Sequence, residues 1–230
     1  MDKYAIEFKN VSFNYNYKEK ILDNVSIKIL KREIIGIMGE SGQGKSTILK
    51  LINGLIPKRI SGVKTGGIFI NGKNNDTLPL PVISTIVGSV FQNPDDQIVF
   101  PEVEDELAFG PENLCLDKEV ILRRIEEVLS DLEISHLRHR NPNNLSGGEK
   151  QLVNIAAIMT MGADIILLDE SLSFLDENGK DKVLNTLQSL RNQGKTIIMV
   201  DHDYKNLKIA DRILLLESKD LCEVNNYGKI

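Results

Sequence analysis

Residues 39–46 read Gly39-Glu40-Ser41-Gly42-Gln43-Gly44-Lys45-Ser46 and match GxxxxGK[ST], a spacing built to hold a chain of phosphates. Its glycines let the backbone curl so that successive N–H groups point inward at phosphate oxygens. Lys45 is placed to reach the β- and γ-phosphates, and the Ser46 hydroxyl is a ligand for Mg2+. Ser46 and Thr47 lie in the first turn of the helix that follows, whose positive dipole end adds to the anion site.

Two further groups of residues carry chemistry. Ile165-Ile166-Leu167-Leu168-Asp169-Glu170 is an apolar strand tipped by two carboxylates. In a parallel sheet the strand C-termini share one edge with the phosphate loop. Asp169 is therefore expected to orient Mg2+ through a bound water, and Glu170 to polarise an attacking water. Leu145-Ser146-Gly147-Gly148-Glu149 places S-x-x-E ahead of an apolar helical pattern, a capping box. Two glycines in that first turn each cost up to about 1 kcal/mol relative to alanine. Close approach of an anion to the helix end is the expected reason for them. One chain then has two phosphate-binding helix ends for one nucleotide, and head-to-tail pairing of two chains uses both.

Positioning these groups requires strands that alternate with helices. Ile34-Ile35-Gly36-Ile37-Met38, just before the loop, is a continuous apolar run expected of a central parallel strand. Helical patterns follow at 45–53, 118–132, 149–161 and 178–191, with buried-strand candidates at 85–91, 165–168, 196–200 and 213–216. Alternation of apolar and polar residues around 5–8 and 25–29 reads as half-buried strand in a small antiparallel sheet. The sum is an α/β fold: a mostly parallel sheet covered on both faces, beside an N-terminal antiparallel subdomain.

Composition narrows the class. The net charge of −5 over 230 residues argues against nucleic acid as a partner. No apolar run is long enough to cross a bilayer, and the first residues lack the apolar core of a secretory signal, so a cytoplasmic chain is expected. Cys115 and Cys222 read as ordinary reduced thiols, and His136 and His139 as surface histidines.

Phosphate loop, LSGGE, carboxylate-tipped strand and a later histidine, in this order, resemble the ATPase subunits of ABC transporters over nearly the whole chain. That resemblance implies a single ABC ATPase domain over 1–230, with a helical subdomain at about 93–161. It also implies that ATP with Mg2+ is bound between two such subunits, identical or different. Tyr15 matches the aromatic that stacks on adenine, with Phe13 or Tyr17 as substitutes. Gln92 matches the glutamine that touches Mg2+ and water, Asp176 the aspartate of the loop crossing the dimer interface, and His202 the histidine that senses the γ-phosphate. Lys45, Gln92, Glu170 and His202 are thus the expected catalytic group, with Ser46, Gln92 and Asp169 on the metal. Departures from the family's habits are Arg32 where glycine is frequent, Leu152 where arginine is frequent, and the loop Ser171-Leu172-Ser173-Phe174.

Residues 91–100 and 104–114 are similar, more narrowly, to the ATPases of energy-coupling-factor importers, which move vitamins or transition-metal ions. Membrane partners follow from that likeness: a transmembrane coupling protein and a substrate-binding membrane protein, with this chain peripheral on the cytoplasmic face. Its acidic residues, including Asp95, Asp96, Glu102, Glu104, Asp105 and Glu106, are expected to rim apolar anchors in a docking surface. The ATPases of other ABC transporters share the catalytic residues and differ in their membrane partner. Repair-type relatives carry a long coiled coil and translation-type relatives two cassettes, neither of which is present, and a small-molecule P-loop kinase has no use for LSGGE.

Overall fold

Ile34 to Met38 form the middle of a sheet that is buried on both faces. The structure is a computed structural model that describes residues 3–15 and 19–224. In chain order the elements are β1 (Tyr4–Asn14), β2 (Leu22–Leu30), β3 (Ile34–Met38), α1 (Lys45–Ile52), the short α2 (Leu55–Lys58), β4 (Val63–Ile70) and β5 (Lys73–Asn74). Then come α3 (Leu80–Ser84), β6 (Val87–Val90), α4 (Val103–Asn113), α5 (Lys118–Asp131), α6 (Gly147–Thr160), β7 (Ile165–Asp169), α7 (Glu177–Asn192), β8 (Thr196–Val200), β9 (Arg212–Glu217) and β10 (Asp220–Glu223).

Strands β9, β3, β8, β7 and β6 lie side by side in parallel, with β10 added antiparallel at the β9 edge. The smaller sheet runs β2-β1-β4-β5, all antiparallel. Alternate residues of the parallel strands enter two different cores. Ile34, Ile166, Leu168, Ile197 and Met199 pack with helical residues such as Leu107, Ile125, Leu152 and Leu184. Ile35, Ile37, Ile165, Leu167, Ile198 and Val200 pack with Ile6, Phe8 and Ile68 of the smaller sheet and Ile48 and Leu51 of α1. A strand buried on both sides has no polar face to offer, which is why these segments read as unbroken apolar runs.

The expected α/β architecture is therefore present, with several elements beyond those legible in the sequence. β4, β5 and β10 are short or glycine-interrupted, and Gly110-Pro111 near the end of α4 masks its helical pattern. The span expected to form a helical subdomain holds α4, α5 and α6, which pack on one another. Arg32 adopts φ = 64°, the left-handed region that glycine enters without steric cost. Its backbone is held there from both sides: its N–H donates to Thr196 Oγ1 at 3.0 Å, and its carbonyl accepts from Arg191 Nε at 3.1 Å.

Register alone gathers the chemistry at one edge. Ile37 pairs with Val200, Val200 with Asp169, and Leu168 with Val90. Residues just beyond these positions are the phosphate loop, Glu170, His202 and Gln92, so four separate segments emerge side by side.

Candidate functional site

The loop after β3 turns into α1 through Gly44, at φ = 109°, where an added Cβ would lie 2.3 Å from Ile21 Cγ2. No side chain caps this helix, so its first-turn N–H groups face the cleft as donors for an anion. The cleft is open, about 430 Å³, and lined by the loop together with Gln92, Asp169 and Glu170. Lys45 is buried beneath it. Its ammonium donates to the carbonyls of Gly39 (2.8 Å) and Glu40 (3.1 Å) and lies 3.6 Å from Glu170 Oε1.

Glu170 is the centre of the arrangement. Gln92 Nε2 donates to its Oε2 at 3.4 Å, and His202 Nδ1 lies 3.5 Å from the same oxygen. Three polar groups from three loops therefore surround one carboxylate. Glu170 itself sits at φ = 47°, a conformation costly for a side-chain-bearing residue and retained where surroundings over-determine it. Its N–H is pinned to the Val200 carbonyl at 2.9 Å.

Beside it, Ser46 Oγ donates to Asp169 Oδ1 at 2.9 Å. Burial pushes the Asp169 carboxyl above the usual aspartate range; the Ser46 hydrogen bond and Lys50 and Lys45 pull down, while Glu170 pushes up. A hydroxyl and a carboxylate side by side, both hard oxygen donors, fit Mg2+, and a dication there would hold Asp169 ionised.

Tyr15 stands at the mouth of the cleft. Its hydroxyl is 2.8 Å from Thr47 Oγ1, and its ring meets Phe13 edge-on with centroids 4.9 Å apart. Tyr15 is 40% exposed, whereas Phe13 is buried and has no free surface for a base to stack on. Tyr17 lies outside the described residues.

Ser146, Gly147, Gly148, Glu149 and Asp176 form a separate group at the start of α6 and α7. The capping box is complete: the Ser146 hydroxyl accepts from the Glu149 N–H at 3.4 Å, and the Glu149 carboxylate accepts from the Ser146 N–H at 2.9 Å. The Ser146 backbone hydrogen bond, foremost, lowers the Glu149 pKa. Asp176 caps α7, its Oδ1 accepting from Gly179 N at 2.8 Å. Gly148 has a further reason to be glycine besides the expected approach of an anion. A Cβ there would lie 2.8 Å from the Cα of Gly179, so packing of α6 on α7 already requires glycine.

The acidic segment is also less free than its sequence implies. Glu106 is buried and accepts from the N–H groups of Val99 and Phe100 at 2.8 and 3.0 Å. Glu104 pairs with Arg138, Glu102 with His139, and Asp95 with Lys150. Asp96 and Asp105 remain exposed. Val99, 76% exposed, and Phe100 line a groove of about 520 Å³ with Asp95, Pro142 and Lys150. Gln151 and Asn154 do not stand out in the sequence as site residues, yet they are buried amides on the core face of α6 that hold the Gln92 segment. Two amides among the apolar positions of that helix were the available signal.

The sequence pattern of the ABC transporter family matches residues 22–173. The chain is 40% identical over 214 residues to the energy-coupling factor transporter ATP-binding protein EcfA of Methanosarcina acetivorans, covering 92% of this chain and 76% of that protein. A putative ABC transporter ATP-binding protein of the same organism is 41% identical over 215 residues, 92% of this chain, which spans only 34% of that relative's length. Among solved structures, cbiO1 from Clostridium perfringens, described as part of the ABC transporter complex cbiONQ, superposes with a TM-score of 0.87 at 26% identity, over 96% of this chain and 88% of that one.

Proposed function

The chain belongs to the ABC transporter family, and on that premise we propose that it is the ATP-hydrolysing subunit of an energy-coupling-factor importer. The observation that carries the ATPase reading is the meeting of Lys45, Gln92 and His202 on Glu170, beside the Ser46–Asp169 pair. The importer class rests on the EcfA and cbiO1 likenesses. The chain is read as one domain, with about 93–161 as its helical part.

ATP lies on the phosphate loop with adenine on the exposed face of Tyr15. Lys45 exchanges its carbonyl partners for phosphate oxygens, a charged acceptor for a neutral one. Ser46 and Asp169, together with Gln92, would hold Mg2+, which would supply charge neutralisation at the phosphates. Glu170 orients the attacking water and takes its proton, while Gln92 and His202 fix the carboxylate's direction. The Ser146 helix end closes over the nucleotide of a second ATPase subunit, and Asp176 lies in the loop facing that subunit. The groove at Val99 and Phe100 receives a membrane partner, the transmembrane coupling protein, which works with a substrate-binding membrane protein. Among the described residues no helix is long and apolar enough to cross a membrane, so attachment on the cytoplasmic face falls to those partners.

Glu170→Gln tests the chemistry. It keeps the shape and the Gln92 and His202 neighbours, so ATP binding is retained while turnover drops by about 10²–10⁴-fold, the usual worth of general-base catalysis. Wild-type turnover in this variant removes Glu170 from the mechanism.

A further inference from the structure

Helix α6 turns an amide into the core where its pattern calls for hydrocarbon. Gln151 is 1% exposed, next to the fully buried Leu152 and Val153. Its Nε2 donates to the carbonyl of Ser171 at 2.9 Å and that of Phe91 at 3.1 Å, and lies 3.5 Å from the carbonyl of Gln92. These carbonyls belong to two segments distant in sequence. One begins where β6 ends and contains Gln92; the other begins where β7 ends and follows Glu170. Both lie past the sheet ladder that aligns the strands. Asn154, one turn along α6, orients the amide: its Nδ2 is 3.4 Å from Gln151 Oε1 and 3.4 Å from the Pro94 carbonyl. A third amide, Gln97, reaches back to Phe91 N and Ser89 O. The segment bearing Gln92 is thus suspended on side-chain amides.

We propose that Gln151 is a positioning residue that ties the backbone around Gln92 to the backbone after Glu170, so that the two side chains move as one unit. Buried donors and acceptors that lose their partners are costly, so both segments must keep their distance from this one nitrogen. Displacement of residues 91–97 from outside is then passed to Glu170 through α6, and the 3.4 Å contact between Gln92 and Glu170 survives the motion. The inference deepens the ATPase reading and rests on Glu170 as the group that activates water.

Two variants of the assembled full-length ATPase test it, with ATP affinity, KM and kcat measured separately. Gln151→Met keeps the volume and removes the donors. It leaves the phosphate loop untouched, so ATP affinity holds while kcat falls by roughly 10²-fold, as for an ångström-scale misplacement. Gln151→Glu keeps the shape but sets a carboxylate against carbonyl oxygens in a buried site, which favours its neutral form. That neutral form has one O–H to give, so turnover relative to wild type rises as pH is lowered and falls as pH is raised. Wild-type kcat in Gln151→Met, or a pH-independent ratio in Gln151→Glu, overturns the proposal. Should Gln151→Met fail to bind ATP, its packing has failed and the pH ratio of Gln151→Glu decides. Glu170→Gln measured alongside separates the two ideas. Normal turnover there removes Glu170 from the chemistry, whereas loss there with a wild-type Gln151→Met removes only the coupling.

Discussion

Replacing Gly148 by alanine asks why α6 opens with two glycines. A methyl group at 148 lies 2.8 Å from Gly179 Cα and 3.6 Å from its carbonyl carbon and oxygen. The obstacle is the backbone of α7, which the Asp176 cap fixes at Gly179 N (2.8 Å), so it cannot rotate aside as a side chain would. Separating the two helices costs about 1–3 kcal/mol by analogy with overpacked cores. The better helix propensity of alanine returns at most about 1 kcal/mol. For a cost of about 2 kcal/mol, the middle of that range, the net loss is about 1–2 kcal/mol, which for a chain of this size lowers Tm by roughly 2–8 °C. Gly147→Ala is the control. Its nearest contact is Leu175 Cδ2 at 3.1 Å, the far end of a flexible side chain, so the cost and the propensity gain nearly cancel, within about 0.5 kcal/mol. Thermal unfolding of both variants without nucleotide gives the answer. A Gly148→Ala protein as stable as wild type refutes the packing explanation and returns the glycine to anion approach.

Other outcomes follow from the site. Ser146→Arg fills the α6 end without touching the phosphate loop, so nucleotide titration of the isolated chain is unchanged while hydrolysis and ATP-induced pairing disappear; normal hydrolysis would end the paired-site reading. Tyr15→Ala removes the exposed ring face and raises the KM for ATP by about 5- to 150-fold, the equivalent of about 1–3 kcal/mol of stacking. Tyr15→Phe loses only the Thr47 contact and stays near wild type, and equal KM values for both variants would move the adenine elsewhere. Asp96→Lys combined with Val99→Asp leaves the internal ion pairs alone and strips the ATPase from its membrane complex, with basal hydrolysis retained. Co-purification that is indifferent to the pair across a range of salt would reject the docking surface.

Much of this protein was legible because its signals are local. A phosphate loop is defined by a few residues in a row, and its strand and helix flanks are read from apolar runs whose period changes at Gly39. The capping box at Ser146 and Glu149 is local in the same sense, and so is the carboxylate tip of β7. The rule that parallel strands end together then places Asp169 and Glu170 near the loop from the sequence alone.

What the sequence did not hold was every property that depends on two distant segments touching. Nothing near Gly148 names Gly179 as the surface it must approach, and nothing near Asp95 or Glu106 says that one meets Lys150 and the other caps a loop. The tie from Gln151 to residues 91 and 171 joins positions 60 and 20 residues away. Sequence by itself determined the chemistry and the edge of the sheet on which it stands, because those follow from side-chain type and strand direction. Tertiary structure decided which polar groups are spent inside the fold and which remain for a ligand, because hydrogen-bond partners are chosen by proximity in space, which strand register and helix packing set only once the whole chain has closed.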